Sequence, residues 1–171
     1  MAGAGRGERA WVRGAQAGSA SDLEALFRAH WPRAFRAAYL VTHDAAAAED
    51  IAQEAFLAAL RSLHRFDRRR PFGPWLHRIV VNRAIDWTRA RQLRGEVELD
   101  ERAASVDVTD PSDADRLAAA IAALPAEQRA VIVLRHLLEY TPGEIAELLG
   151  LPRGTVNSRL RRGLDALKEQ A

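Results

Sequence analysis

Cysteine is absent from this 171-residue chain, which excludes disulfides and cysteine-ligated zinc and fits a reducing compartment. The five histidines, His30, His43, His64, His77 and His136, are scattered. No two stand at metal-ligand spacing, and no phosphate-cradling glycine loop is present, so neither catalysis, a metal nor a cofactor is expected. No apolar run reaches the length of a membrane span. A charged-then-apolar leader is also missing, so a cytoplasmic protein without membrane insertion is expected. Lysine is nearly absent, since 24 of the 25 basic residues are arginine. That bias fits a GC-rich genome as readily as phosphate binding. Strand patterning is missing too: the β-branched run Val131 to Leu134 sits in a helical frame.

What is present is 48% apolar residues, enough for one medium core or two small ones. The net charge of +2 hides a block pattern. Residues 61–94 carry ten arginines against Asp67 and Asp86, a net +8. Residues 95–115 carry eight acids against Arg102, a net −7. Residues 153–168 return to +4, with five basic side chains and Asp165.

Along the chain, residues 1–18 are rich in Gly, Ala and Arg without periodicity and read as a mobile tail. Ser21 and Asp22 are good caps for an amphipathic stretch that continues past Pro32 to Leu40, as a helical hairpin or a kinked helix. Asp44 caps a third helix to about Leu63. Its apolar face is Ile51, Ala55, Phe56, Ala59, Leu60 and Leu63, with Glu49, Asp50, Gln53 and Glu54 off that face. Pro71, Gly73 and Pro74 break the chain, and Trp75 opens a fourth helix to about Arg94. Residues 95–112 are acidic, poor in large apolar side chains and contain Pro111, which marks a linker. The expectation is an all-α protein of two small helical domains, 19–94 and 113–171, joined by that linker.

The most specific local pattern lies near the end. Thr141 caps a helix whose first position is Pro142 and whose Glu144 completes a capping box. Gly150 stops it before Pro152 starts the next helix. In that second helix Val156, Leu160, Leu164 and Leu167 line one face, leaving Asn157, Ser158, Arg161 and Arg162 to project outward. Arginine binds guanine or phosphate, asparagine reads adenine, and serine serves either base edge or backbone. A DNA-binding helix-turn-helix and an antiparallel helix pair with a solvated basic face both fit this pattern.

A second pattern runs from Arg61 to Arg78, where guanidiniums mingle with Phe66, Phe72 and Trp75 around a Pro/Gly loop. Unpaired nucleotides offer base faces for stacking and phosphates for arginine, so such a surface suits single-stranded nucleic acid. Each aromatic has an equally physical role as a core residue pinning the loop. The cluster Arg68, Arg69 and Arg70 is the stronger candidate for nucleic-acid contact.

From Asp22 to Glu169 the chain resembles the extracytoplasmic-function (ECF) sigma factors of bacterial RNA polymerase. AEDIAQEAFLAAL from Ala48 and RFDRRRPFGPWLHRIVVNRAIDW from Arg65 resemble region two of that family. LPAEQRAVIVLRHL from Leu124 and YTPGEIAELLGLPRGTVNSRLRRGLDAL from Tyr140 resemble region four. The resemblance implies a promoter-specificity subunit without catalysis, whose partners are core RNA polymerase (beta and beta-prime subunits), promoter DNA both duplex and single-stranded, and an anti-sigma factor. It implies that Asp50, Gln53, Glu54 and Phe56 dock on core polymerase. Arg65, Arg68, Arg69, Arg70, Phe72, Trp75, Arg78, Asn82 and Arg83 are implied to meet the melted minus-ten element. Asn82, one turn from Asp86, meets DNA or braces the fold through that carboxylate. Thr155, Asn157, Ser158, Arg159, Arg161 and Arg162 are implied to read the minus-thirty-five element. Asn157 stands where relatives usually carry Lys or Arg, and Arg161 where many have an aromatic or histidine, so the promoter sequence does not transfer. The contrasting possibility is a stand-alone dimeric helix-turn-helix regulator, which leaves the Arg61–Arg78 segment without a task.

Overall fold

The computed structural model describes residues 4–95 and 112–169. Apart from its two end residues, the linker expected over 95–112 lies outside them. The described residues form eight α-helices and no strand: α1 Ala4–Gln16, α2 Ala20–Thr42, α3 Ala45–Ser62, α4 Phe72–Leu93, α5 Asp113–Ala122, α6 Ala126–Ile132, α7 Pro142–Leu149 and α8 Arg153–Glu169. A 3-10 turn, Leu63–Arg65, extends α3, and a π-helical turn, Val133–Leu137, extends α6.

Helices α2, α3 and α4 make the first unit. Asp44 caps α3 as expected, its side chain accepting from the Ala47 amide at 2.8 Å. Fully buried alanines on α2 (Ala34, Ala37, Ala38) and on α3 (Ala48, Ala52, Ala55, Ala59) let the two backbones approach closely. Leu76, Val80, Val81 and Ala84 of α4 close the core from the third side.

The structure differs from expectation at three helices. The cap of α2 is Ser19, which accepts from the Asp22 amide, and because one helix runs through Pro32 the hairpin alternative is excluded. Helix α4 starts at Phe72 rather than Trp75. Residues read as a mobile tail include α1, which packs Val12 into the core with Trp11 and Ala15 beside it. Three apolar positions on one face suffice once α2 supplies a surface for them.

The second unit, α5 to α8, carries the expected helix-turn-helix. Thr141 and Glu144 form the reciprocal capping box, with Thr141 N donating to Glu144 Oε2 at 2.7 Å. Gly150 ends α7 at φ 65°, a left-handed conformation that costs a residue with a Cβ. Val156 and Leu160 are buried on α8, but Leu164, expected on the same stripe, is exposed and Gly163 takes the buried place.

The two units pack against each other into one contiguous apolar cluster. Polar contacts also cross between the described residues of the two units. Arg129, only 7% exposed, donates from Nη1 to the carbonyl of Val41 at 2.6 Å and from Nε to that of Leu124 at 2.8 Å. His77 Nδ1 lies 2.8 Å from the Tyr140 hydroxyl, and Arg89 pairs with Glu127 at 2.8 Å.

Candidate polymerase and nucleic-acid interfaces

Between α3 and α4 the chain turns on Asp67. Its Oδ1 accepts from the Arg69 amide at 3.0 Å and from Arg69 Nε at 3.1 Å, and its carbonyl accepts from the Arg70 amide at 2.9 Å. The Arg69 amide, then its guanidinium, hold the Asp67 carboxyl below its usual range. This Asx turn leaves Arg68, Arg69 and Arg70 exposed.

The aromatics beneath are a mutual brace: ring centroids are 4.6 Å apart for Phe66 and Trp75, 5.7 Å for Phe72 and Trp75, and 6.0 Å for Phe66 and Phe72. Phe72 is only 2% exposed, so it pins the loop and offers no face to a base. Trp75 and Phe66 are half-buried and line an open groove together with Arg65, Arg70 and Arg78. The far wall of that groove is Tyr140, just before α7, with Glu144, Glu147 and Leu148 of α7. Asn82 is half-buried and makes no side-chain bond to Asp86.

On the outer face of α3, Asp50, Gln53 and Glu54 are exposed. Glu54 pairs with Arg83 at 2.7 Å, so one candidate polymerase contact and one candidate DNA contact hold each other. With Asp86 and Trp87 they surround a shallow acidic hollow that also includes Asp50. Phe56 is 6% exposed, its ring 4.9 Å from that of Phe27. Its place is therefore the floor of a surface rather than its rim. The exposed apolar side chains there are Leu57 and Phe27, at 51% and 41%, and they line a groove with Leu23, Phe56 and Leu60. Neither was singled out from sequence, although Leu57 stands off the buried stripe of α3, which is the visible signal.

On α8, Asn157, Arg161 and Arg162 are exposed, whereas Thr155, Ser158 and Arg159 are half-buried. Ser158 Oγ donates to the Thr155 carbonyl at 3.0 Å, and Arg162 reaches back to the Ser158 carbonyl at 3.3 Å. The outer face is thus basic and free to enter a groove along most of its length.

Comparison with known proteins shows the family of the chain that carries these surfaces. Residues 26–94 match Sigma-70 region 2 and residues 114–167 match Sigma-70 region 4. The ECF RNA polymerase sigma factor SigW of Bacillus subtilis is 38% identical over 141 residues, 72% of this chain and 74% of that protein. SigL of Mycobacterium tuberculosis, another ECF RNA polymerase sigma factor, is 36% identical over 164 residues, covering 92% and 93%.

The chain belongs to the ECF sigma factors.

Its fold is also that of solved relatives. CnrH, in complex with the cytosolic domain of CnrY, superposes with a TM-score of 0.71 at 27% identity over 95% of this sigma factor and 96% of that chain. The sigma factor RpoE of Bartonella quintana, in complex with the anti-sigma factor NepR, shares the fold at 21% identity and a TM-score of 0.68, covering 87% and 96%. The loop and the α3 face of this sigma factor fall in its region 2 match, and α8 falls in its region 4 match. Among the described residues no helix is long and apolar enough to cross a membrane.

Proposed function

We propose that this sigma factor binds core RNA polymerase through the α3 face, captures unpaired minus-ten bases in the groove beside the Asp67 turn, and reads duplex minus-thirty-five DNA with α8. It is a binding factor without catalysis of its own, acting in the cytoplasm. The observation that carries this is the pairing of two dissimilar arginine-bearing surfaces on one chain. One is an arginine and aromatic groove suited to single strands, the other a helix-turn-helix suited to a major groove. Their order matches region 2 followed by region 4. The units proposed for these tasks are 19–94 and 113–171, joined through the acidic stretch 95–112.

Exposed Asp50, Gln53 and Glu54 suit a polar contact with the polymerase beta-prime subunit, and the half-buried Trp75 edge with Arg65, Arg70 and Arg78 suits base stacking and phosphate pairing. Since CnrH, similar in both sequence and fold, was solved with the cytosolic domain of another protein, a protein antagonist of the anti-sigma class is proposed here too. A stand-alone dimeric regulator would use α7 and α8 alone and leave the region 2 surfaces idle.

The test is co-elution with bacterial core polymerase. Wild-type protein is expected to co-elute and Asp50→Arg to elute free, with an unchanged thermal transition showing that the fold is intact. Co-elution of Asp50→Arg would remove the α3 assignment.

A further inference from the structure

Helix α1 touches both ends of the loop between α3 and α4. At the near end the Gln16 carboxamide nitrogen donates to the carbonyl of Leu63 at 2.8 Å and to that of Phe66 at 3.0 Å. An amide nitrogen has two hydrogens, so one side chain satisfies two carbonyls where α3 runs out. At the far end, α4 begins at Phe72 with no side-chain cap from Pro71 and no acid in its first turn. Glu8 reaches that end from another helix through His30. Its Oε1 lies 2.7 Å from His30 Nε2, and the His30 ring packs 5.1 Å from that of Phe72. The His30 hydrogen bond outweighs burial and keeps the Glu8 carboxyl below its usual range, with the Phe72 backbone amide adding to the effect. A carboxylate held ionised there only accepts, so His30 donates to it, and its charge complements the positive end of α4.

The seat of α1 is itself fixed. Val12 is buried, and a Cβ at Gly14 would come 1.7 Å from the Asp22 carboxylate, so a larger residue at 14 would force that side chain out of its place between α1 and α2.

We propose that α1 positions the minus-ten loop, Gln16 through the carbonyls of Leu63 and Phe66 and Glu8 through His30 and the start of α4. Between these two anchors only residues 67–71 remain, and they carry the three exposed arginines. A loop tied at both ends has less freedom to lose when bases enter it, and preorganisation of that kind raises affinity and selectivity without any new contact. Gln16 and Glu8 are positioning residues: they hold the binding surface and touch no nucleotide. This inference rests on the proposal that the loop captures unpaired minus-ten bases.

The experiment measures binding of holoenzyme, assembled from core polymerase and full-length protein, to two fluorescent single-stranded oligonucleotides. One carries the minus-ten element of a promoter that this holoenzyme transcribes, the other the same bases scrambled. Gln16→Leu, which keeps size and removes both donors, is expected to lower affinity for the first about tenfold while core binding stays within about twofold. The ratio of first to scrambled falls with it. A loss shared equally by both oligonucleotides and by core binding would show a general structural role and overturn the proposal, as would an unchanged ratio.

Glu8→Ala is expected to reproduce the loss from the other anchor and Glu8→Gln, which keeps an acceptor for His30, to recover part of it; this pair decides the matter if Gln16→Leu fails to fold. Arg69→Ala and Arg70→Ala test the underlying proposal separately. If wild type prefers the first oligonucleotide and these two variants lose that preference, the loop captures bases and the Gln16 result judges α1 alone. If wild type shows no preference, base capture by the loop falls and the positioning role falls with it.

Discussion

His77 shows how much a single side chain can contribute at the junction of the two units. It is buried, bonded on one side to Tyr140 and unpartnered at Nε2. Burial first, then the charges of His30 and Arg33, push its pKa down from 6.5 to about 4, with Glu8 opposing. An imidazole held neutral in the fold binds its proton only when the chain unfolds. Its contribution is therefore complete above pH 6.5 and is lost as the pH falls towards about 4, an effect of about 3 kcal/mol. Denaturant titrations of wild type across that window are expected to show the decline, and His77→Gln to flatten it; an identical decline in the variant would place the titration elsewhere. Nothing in the sequence pointed to this histidine, because its partner stands 63 residues away. Thr141, Glu144, Asp44 and Gly150, by contrast, could be read directly: caps and stops act within four residues of themselves. Phe72 and Phe56 lay between these cases. Phe72 suited both a base platform and a core, Phe56 both a docking face and a core, and only their neighbours bury them.

At the scale of elements, the helices with long apolar stripes, α2, α3, α4 and α8, were legible and α1 was not. Its stripe is short and set among Gly, Ala and Arg. What secures it, Gln16 on the loop carbonyls and Glu8 on His30, is tertiary. The outer face of α8 was legible in kind, since exposure of Asn157, Arg161 and Arg162 follows from the period of the buried positions. Its Leu164 was misplaced by the same rule, because the stripe drifts around a straight helix of this length. For promoter DNA in the holoenzyme, Arg162→Ala is expected to weaken binding by ~1–3 kcal/mol and to relax preference at one base pair. Affinity measured on a set of single-base promoter variants checks this. A uniform loss over all variants would assign Arg162 to phosphate alone.

For the whole molecule, the closed packing of the two units was the least legible feature, since Arg129 and Val41 are separated by 88 residues. It also bears on function. In this arrangement the carboxylates of α7 face the groove that holds Arg65, Arg70 and Arg78. Promoter elements centred near positions minus ten and minus thirty-five lie roughly 85 Å apart along a duplex, whereas a compact chain of this length has a radius of gyration of roughly 16 Å. The units must therefore part when both elements are engaged. Because the native chain has no cysteine, Arg28→Cys with Lys168→Cys gives two clean labelling sites on exposed positions of α2 and α8. Their separation by energy transfer is expected to lengthen when core polymerase and promoter are added; an unchanged distance would rule out the simultaneous use of both surfaces. The central claim, that this chain directs polymerase to promoters, is tested most directly by transcribing pooled genomic fragments with bacterial core polymerase, with and without the protein, and sequencing the RNA starts. New starts that depend on the protein and share two spaced upstream motifs are the predicted result. No new starts, with the protein alone still retaining duplex DNA, would contradict it.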